Sequence, residues 1–201
     1  MRPTARVRLL TFAKTRPILR AADAARLGVH TQLLTRLVAE GTLERVGRGR
    51  YRSPSDDVTE HHGLALTAAA VPRGVVCLLS ALVFHGVGTQ NPSEVWLAVD
   101  RRARAPKAAW PPLRVVRFSG RALTEGVETH RIEGEPVRVY SLPKTIADCF
   151  KYRNKVGMDV ALEALKDAWH HQRVRMADLD EYARVCRVAH VMRPYIEALS
   201  A

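Results

Sequence analysis

Cysteine is scarce: the chain of 201 residues holds three, Cys77, Cys149 and Cys186, far apart and each in an apolar context. Such spacing builds neither a disulfide framework nor a zinc site, and it predicts buried free thiols in a reducing cytoplasm. Long apolar runs are missing too. The longest, Gly74–Gly88, falls short of the ~20 residues that cross a bilayer and contains His85. The first apolar stretch, Val7–Phe12, is too short for a secretory signal and carries Arg8. A cytoplasmic chain with no membrane partner is therefore expected.

Catalytic patterns are also absent. There is no Gly-x-x-x-x-Gly-Lys phosphate loop and no dinucleotide fingerprint. A metal-dependent nuclease of the restriction type needs an acid followed by acid-x-Lys on a neighbouring strand. Here Asp100 is followed by Arg101 and Arg102, and Glu133-Gly134-Glu135 lacks the lysine. Ser80 and His85 share a helical pattern without a nucleophile elbow, so packing roles are expected. His61-His62 and His170-His171 are adjacent pairs that point to different sides of a helix, which is not metal-ligand spacing. Neither a cofactor, a metal nor an enzymatic activity is expected.

Acidic residues are the last shortage. Lys and Arg number 32 against 20 Asp and Glu, a net charge of +12. The excess is uneven. Residues 1–54 hold 12 basic and 3 acidic residues, a net +9; the rest holds 20 and 17, a net +3. A short segment so charged is either a solvated basic face or a surface for an anionic partner, nucleic acid or membrane.

The pattern of elements decides between them. Val7–Lys14 reads as a helix with Val7, Leu10 and Phe12 available to a core. Ile18–Leu27 and His30–Glu40 are two further helical patterns separated by Gly28, and Leu43–Arg52 reads as two short strands around Gly47-Arg48-Gly49. Ser53-Pro54-Ser55 breaks the pattern, which predicts domains at 1–54 and 58–201. In the second, Leu64–Val71 and Leu78–His85 read as helices. Glu94–Asp100, Val115–Phe118, Val127–Ile132 and Val137–Tyr140 read as strands, with Arg102–Pro112 a basic, Pro-rich loop and Gly134 a turn. From Ser141, a helix N-cap position with Pro143 in the first turn, the period turns helical, so 58–140 is mixed and 141–201 a helical layer. Ile146, Cys149 and Phe150 form one apolar stripe. Ala161, Leu165, Ala168 and Trp169 form the next, and Leu179, Tyr182, Ala183 and Cys186 a third. Pro194 is expected to open a final short helix. The fold class is α+β.

Ala24–Leu37 has the parts of a helix-turn-helix: small Ala24, Gly28 four residues on at the turn, and Leu27, Val29, Leu34 and Leu37 facing inward. His30, Thr31, Gln32, Thr35 and Arg36 then face outward on the second helix. Thr and Gln hydrogen-bond base edges or phosphates, and Arg takes guanine bidentately. The hairpin that follows is a wing, with Arg48 at its tip beside Arg45, Arg50 and Arg52, suited to a phosphate or a minor groove. The rival reading is a three-helix unit whose basic hairpin contacts protein. The arginine wing and the +9 charge favour double-stranded DNA.

The run from Ala21 to His30, and the run from Leu34 to Tyr51, resemble the winged-helix domain of AbiEi-type abortive-infection antitoxins. Cys77–Gly86, Pro92–Val99, Val139–Gly157 and Ala161–Leu165 resemble their second domain, so the likeness runs from about Leu19 to Leu199. It implies an antitoxin of a two-gene, type IV toxin–antitoxin system whose partner is a nucleotidyltransferase-like toxin. It also implies a winged helix that represses its own operon at promoter DNA. Winged-helix regulators often need a second copy to fill two half-sites, so pairing of the chain on DNA as a dimer is expected on that general ground. A one-component transcription regulator with a ligand-sensing second domain is the alternative, and a DNA-targeted nuclease a more distant one. Lys144, Asp148 and Lys151 fall at i, i+4, i+7 on one helix face. A solvent-facing ion pair, worth a few tenths of a kcal/mol, is the favoured reading, and a toxin contact surface the other.

Overall fold

A computed structural model describes residues 3–14, 18–54, 59–106 and 110–200. Ser55 and Val58, which bracket the expected domain boundary, lie outside the described residues. The chain forms two compact units. The first runs to Pro72 and also takes in Arg131–Val137; the second is built from Arg73 onward, without that segment and the Trp110-Pro111 pair. The division thus falls beyond the Ser53-Pro54 break.

In the first unit the order is α1 (Ala5–Lys14), β1 (Leu19–Arg20), α2 (Ala21–Arg26), α3 (Gln32–Ala39), β2 (Glu44–Gly47), β3 (Arg50–Arg52) and α4 (His62–Ala70). The three strands form one antiparallel sheet in the order β1-β3-β2. Leu9, Leu19, Ala24, Val29, Leu34, Leu37 and Leu43 make the core. On α1 the inward pair is Leu9 and Ala13, not Val7, which is half exposed; Leu10 and Phe12 pack only partly. Leu9 and Ala13 are four apart on one helix face, and the small alanine lets that face approach closely.

The helical pattern over Ile18–Leu27 is corrected at its start. Leu19 and Arg20 are extended and pair with Tyr51 and Arg50. The helix begins at Ala21 because the Asp23 carboxylate accepts the Arg20 backbone N–H at 2.9 Å, an end-capping bond that stops the helix from reaching further back. Leu66 and Ala69 of α4 cover Ile18, with Val46 against them. That contact is why α4 belongs to the first unit.

The remaining elements are β4 (Val75–Val76), α5 (Leu78–His85), β5 (Val95–Asp100), β6 (Leu113–Phe118), α6 (Arg121–Thr124), β7 (Val127–Ile132), β8 (Glu135–Tyr140), α7 (Leu142–Lys151), α8 (Arg153–Val156), α9 (Met158–His170), α10 (Met176–Val185) and α11 (Ala189–Ser200); all belong to the second unit except the end of β7 and the start of β8, within Arg131–Val137. Their sheet has the order β6-β5-β4-β8-β7. β5 runs antiparallel to β4 and parallel to β6, and β4 meets β8 in parallel at Val76 and Val139. β4 has no sequence signal of its own, being two residues long. Val95–Val99 are all buried, although the sequence alternates. A strand with neighbours on both edges and cover on both faces reads as a continuous apolar run.

Ser141 stands at the N-cap of α7, with Pro143 in the first turn, but its hydroxyl is buried with no partner among the described residues. The expected stripes hold: Ile146, Cys149, Phe150, Ala161, Leu165, Ala168, Leu179, Ala183 and Cys186 all lie in one core, with Trp169 and Tyr182 packed against it. Pro194 does not open a helix; it lies inside α11. Val188, Met192 and Ile196 are buried at four-residue intervals, so one apolar stripe holds the chain helical on both sides of the proline. All three cysteines are free and buried.

Candidate nucleic-acid interface

α2, the turn and α3 are held together by backbone geometry that the sequence dictates. Leu27 N–H donates to Asp23 O, Gly28 N–H to Ala25 O, and Val29 N–H to Ala24 O at 2.8 Å. Gly28 closes the turn at φ +65°, a left-handed conformation that costs glycine little and other residues more. Ala24 is fully buried where the helices touch. Val29, Leu34 and Leu37 are buried and Leu27 partly so, as the inward assignment requires.

The opposite face of α3 is open. Thr31, Gln32, Thr35 and Arg36 are exposed, and so is His30 in the turn. Arg36 makes no ion pair or hydrogen bond through its guanidinium with any described residue, so its donors are available. The His30 ring acts locally. Its Nδ1 accepts the Gln32 N–H at 3.2 Å, which sets the first turn of α3 two residues later than the sequence pattern. Arg6 of α1 bonds Glu40 just beyond α3 at 2.6 Å.

The hairpin of β2 and β3 separates its four arginines. Arg48 stands exposed at the tip, between Gly47 and Gly49, and Arg45 is exposed beside it. Arg52 bonds Glu44 across the hairpin through Nε at 2.8 Å and a terminal nitrogen at 2.7 Å. Arg50 is half-buried opposite Arg20. Burial first, and then the like charge of Arg20, lower its guanidinium from the ordinary value, against the pull of Glu135. Glu135, itself buried, forms an ion pair with Arg20. The base of the wing is thus internally neutralised, while its tip is free. Ala21 N–H donates to Gly49 O at 2.9 Å, which fixes the tip to the start of α2. Neither Arg20 nor Glu135 has a sequence signal, because they are more than a hundred residues apart.

Residues set aside as packing groups are placed as such. Ser80 is buried, and its oxygen accepts the Trp96 N–H at 2.9 Å. His85 bonds the Tyr140 carbonyl at 2.8 Å; burial pushes its imidazole down, and that bond opposes the shift. His170 and His171 bond the Lys166 and Asp167 carbonyls of their own helix. His62 bonds Glu133 at 2.7 Å, and Glu133 also accepts from Thr59. Burial raises the Glu133 carboxyl, and the bonds from His62 and Thr59 outweigh it and hold the group below its ordinary value. No group of three or more His, Cys, Asp or Glu among the described residues is arranged to hold a metal ion.

The face of Lys144, Asp148 and Lys151 needs correction. Lys144 and Asp148 are buried, and their ion pair of 2.6 Å lies in the core rather than in solvent. Only Lys151 reaches the surface, so any partner contact on this face falls to it. The Lys144 ammonium sits 4.1 Å from the Tyr140 ring centroid and 5.1 Å from that of Phe118, a cation–π environment that replaces water. The Cys186 thiol donates to Asp148 at 3.2 Å. Burial pushes the Asp148 carboxyl up to about 6, against the pull of Lys144 and the Cys186 bond. An i, i+4 charge pair reads the same in sequence on either side of a helix, which is why its burial is not legible there.

Residues 7–54 match the family described as "Transcriptional regulator, AbiEi antitoxin". A comparison with curated proteins gives no match. Among solved structures, the RV2827C protein from Mycobacterium tuberculosis is similar over 94% of this chain and 82% of that one, at 12% identity and a TM-score of 0.55. That likeness is one of fold. The α+β class and the AbiEi resemblance read from the sequence are both borne out, the resemblance over the region that forms the helix-turn-helix and wing. No helix among the described residues is long and apolar enough to cross a membrane.

Proposed function

From this family match we infer that the chain is an AbiEi-type antitoxin and transcriptional regulator that represses its own operon and neutralises a nucleotidyltransferase-like toxin. The observation that carries the DNA-binding half is the open face of α3 beside a wing whose tip arginine is unpartnered. Arg36 and Gln32 lie where a recognition helix presents base-reading groups, and Arg48 where a wing meets the backbone or minor groove. Arg45 adds a second cation, while Arg52 is tied to Glu44 across the hairpin and Arg50 lies half-buried beside Arg20. Promoter DNA with two half-sites would take two copies of the chain.

The second unit, with a core of its own, is larger than a winged helix needs for repression and is the part assigned to toxin neutralisation. The reading is tested by separating its two halves in the full chain. Arg36→Ala with Arg48→Ala should abolish repression of the native promoter while cells that also express the adjacent gene product stay protected. Loss of protection together with repression would show that protection acts through DNA binding. Repression that survives both substitutions would remove α3 and the wing as the DNA-reading surface.

A further inference from the structure

The second unit contains a hollow of about 420 Å³ between the end of β6, α7 and the end of α10. Its walls carry Arg117, Arg121, Lys151, Arg184 and Arg187, and the acidic side chain among its lining residues is the buried Asp148, already paired with Lys144. Three of the cations are committed at least in part. Arg117 donates to the Asp100 and Ala103 carbonyls, Arg121 is paired with Glu125, and Arg184 reaches Asp180 only at 3.5 Å. Lys151 and Arg187 make no side-chain hydrogen bond or ion pair with any described residue.

Arg187 is also conformationally unusual. It adopts φ +58° directly after α10, where glycine is the usual residue. Its N–H donates to Arg184 O and that of Val188 to Ala183 O, so the helix end holds it there. An arginine at that position accepts backbone strain and places a free guanidinium at the hollow. The rest of the wall mixes the polar Ser119 with small and apolar groups, chiefly Val185 and Tyr152, whose ring stacks on the buried Phe118 with centroids 5.2 Å apart.

We propose that this hollow binds a nucleoside polyphosphate, with Lys151, Arg187 and Arg184 on the phosphates and Val185 and the Tyr152 ring beside the nucleoside. Charge selects a multiply anionic ligand, because guanidinium groups and an ammonium form strong charge-assisted bonds to phosphate. Size selects a small one. The volume lies within the ~300–1,000 Å³ of small-molecule sites, and a duplex is too broad to enter it. The proposal is independent of the DNA-binding reading, since it uses no residue of the first unit.

The test is isothermal titration of the full chain with ATP, GTP, inorganic tripolyphosphate and sulfate at matched ionic strength. Saturable binding of a nucleoside triphosphate, at least about tenfold tighter than sulfate and tighter than tripolyphosphate, is expected. Lys151→Ala with Arg187→Gly should weaken it at least about tenfold, and the thermal midpoint should hold or rise, because glycine relieves the left-handed backbone. Lys151→Ala alone, at an exposed side chain, should weaken binding in the same direction and keeps the test valid if the double variant unfolds. Absence of saturable binding overturns the proposal, as does binding that the substitutions leave unchanged. Tripolyphosphate binding as tightly as ATP and GTP overturns its nucleoside part. Without small-anion binding, weaker promoter affinity or lost toxin protection in the variants would reassign the cations to DNA or to an acidic protein surface.

Discussion

Lys144→Met should be among the most damaging single changes in the second unit. The ion pair it breaks is 2.6 Å long with neither side chain measurably in contact with solvent, at 0% and 2% exposure. Removing one partner leaves Asp148 buried with only the Cys186 thiol, and such a break costs about 3–5 kcal/mol. For a chain of this size that lowers the thermal midpoint on the order of 10 °C. Replacing the pair together, Lys144→Met with Asp148→Leu, fills the same space without charge and should recover most of the loss. The pH dependence separates charge from shape. Without Lys144 the Asp148 carboxyl rises above its value of about 6. An acid raised on folding contributes most when protonated, and loses that contribution as pH climbs from its unfolded value, ~4, through its folded one. The deficit of Lys144→Met relative to the parent should therefore be smaller at pH 5 than at pH 8. Urea unfolding followed by circular dichroism at both pH values reads it. A loss under about 1 kcal/mol, a double variant as unstable as the single, or a deficit independent of pH would each refute the reasoning.

Arg48→Ala should reduce the log–log salt slope of promoter binding by about 0.9, the share of one phosphate contact, whereas Arg52→Ala, which breaks the pair with Glu44, should act mainly on stability; a salt series with melting curves distinguishes them. Arg36→Ala should narrow the gap between promoter and random DNA by about 1–3 kcal/mol, and an equal loss on both would make Arg36 a phosphate contact. Gly126→Ala should destabilise the second unit without touching DNA affinity, since the added methyl would lie 2.8 Å from Lys144 Cβ and 3.0 Å from the Tyr182 ring; unchanged melting would show that α7 gives way. Gly28→Val should lower both stability and DNA affinity, because a β-branched residue at φ +65° strains the helix-turn-helix; binding of parental strength would free the turn from that role.

The winged helix is legible in the sequence because its signals are local. A small residue, a glycine four positions on and the apolar spacing around them are set within fourteen residues, and the hairpin announces itself by two glycines. What escapes is set at a distance. β1 is two residues long and extended only because Tyr51 and Arg50 pair with it, so the helical periodicity over Ile18–Leu27 masks it in the sequence. The division of wing arginines into free and committed depends on Glu44 across the strand and on Glu135 far along the chain. Likewise the basic hollow gathers residues from 117 to 187 that no spacing links, and periodicity places Lys144 and Asp148 on a common face without saying that the face is inside.

The short strand β4 gives the sheet of the second unit a particular folding order. Its two halves, β6-β5 and β8-β7, meet through β4, and the parallel register on that side is the pair Val76 and Val139. Those residues are about 60 positions apart, and closing a loop of that length costs on the order of 3–4 kcal/mol in chain entropy. The β7–β8 hairpin is local and closes cheaply by comparison. Joining the halves is then the slow event, made after each has formed, and one residue pair carries its register. Truncation at Val139, which enters at that step, should slow refolding more than it speeds unfolding.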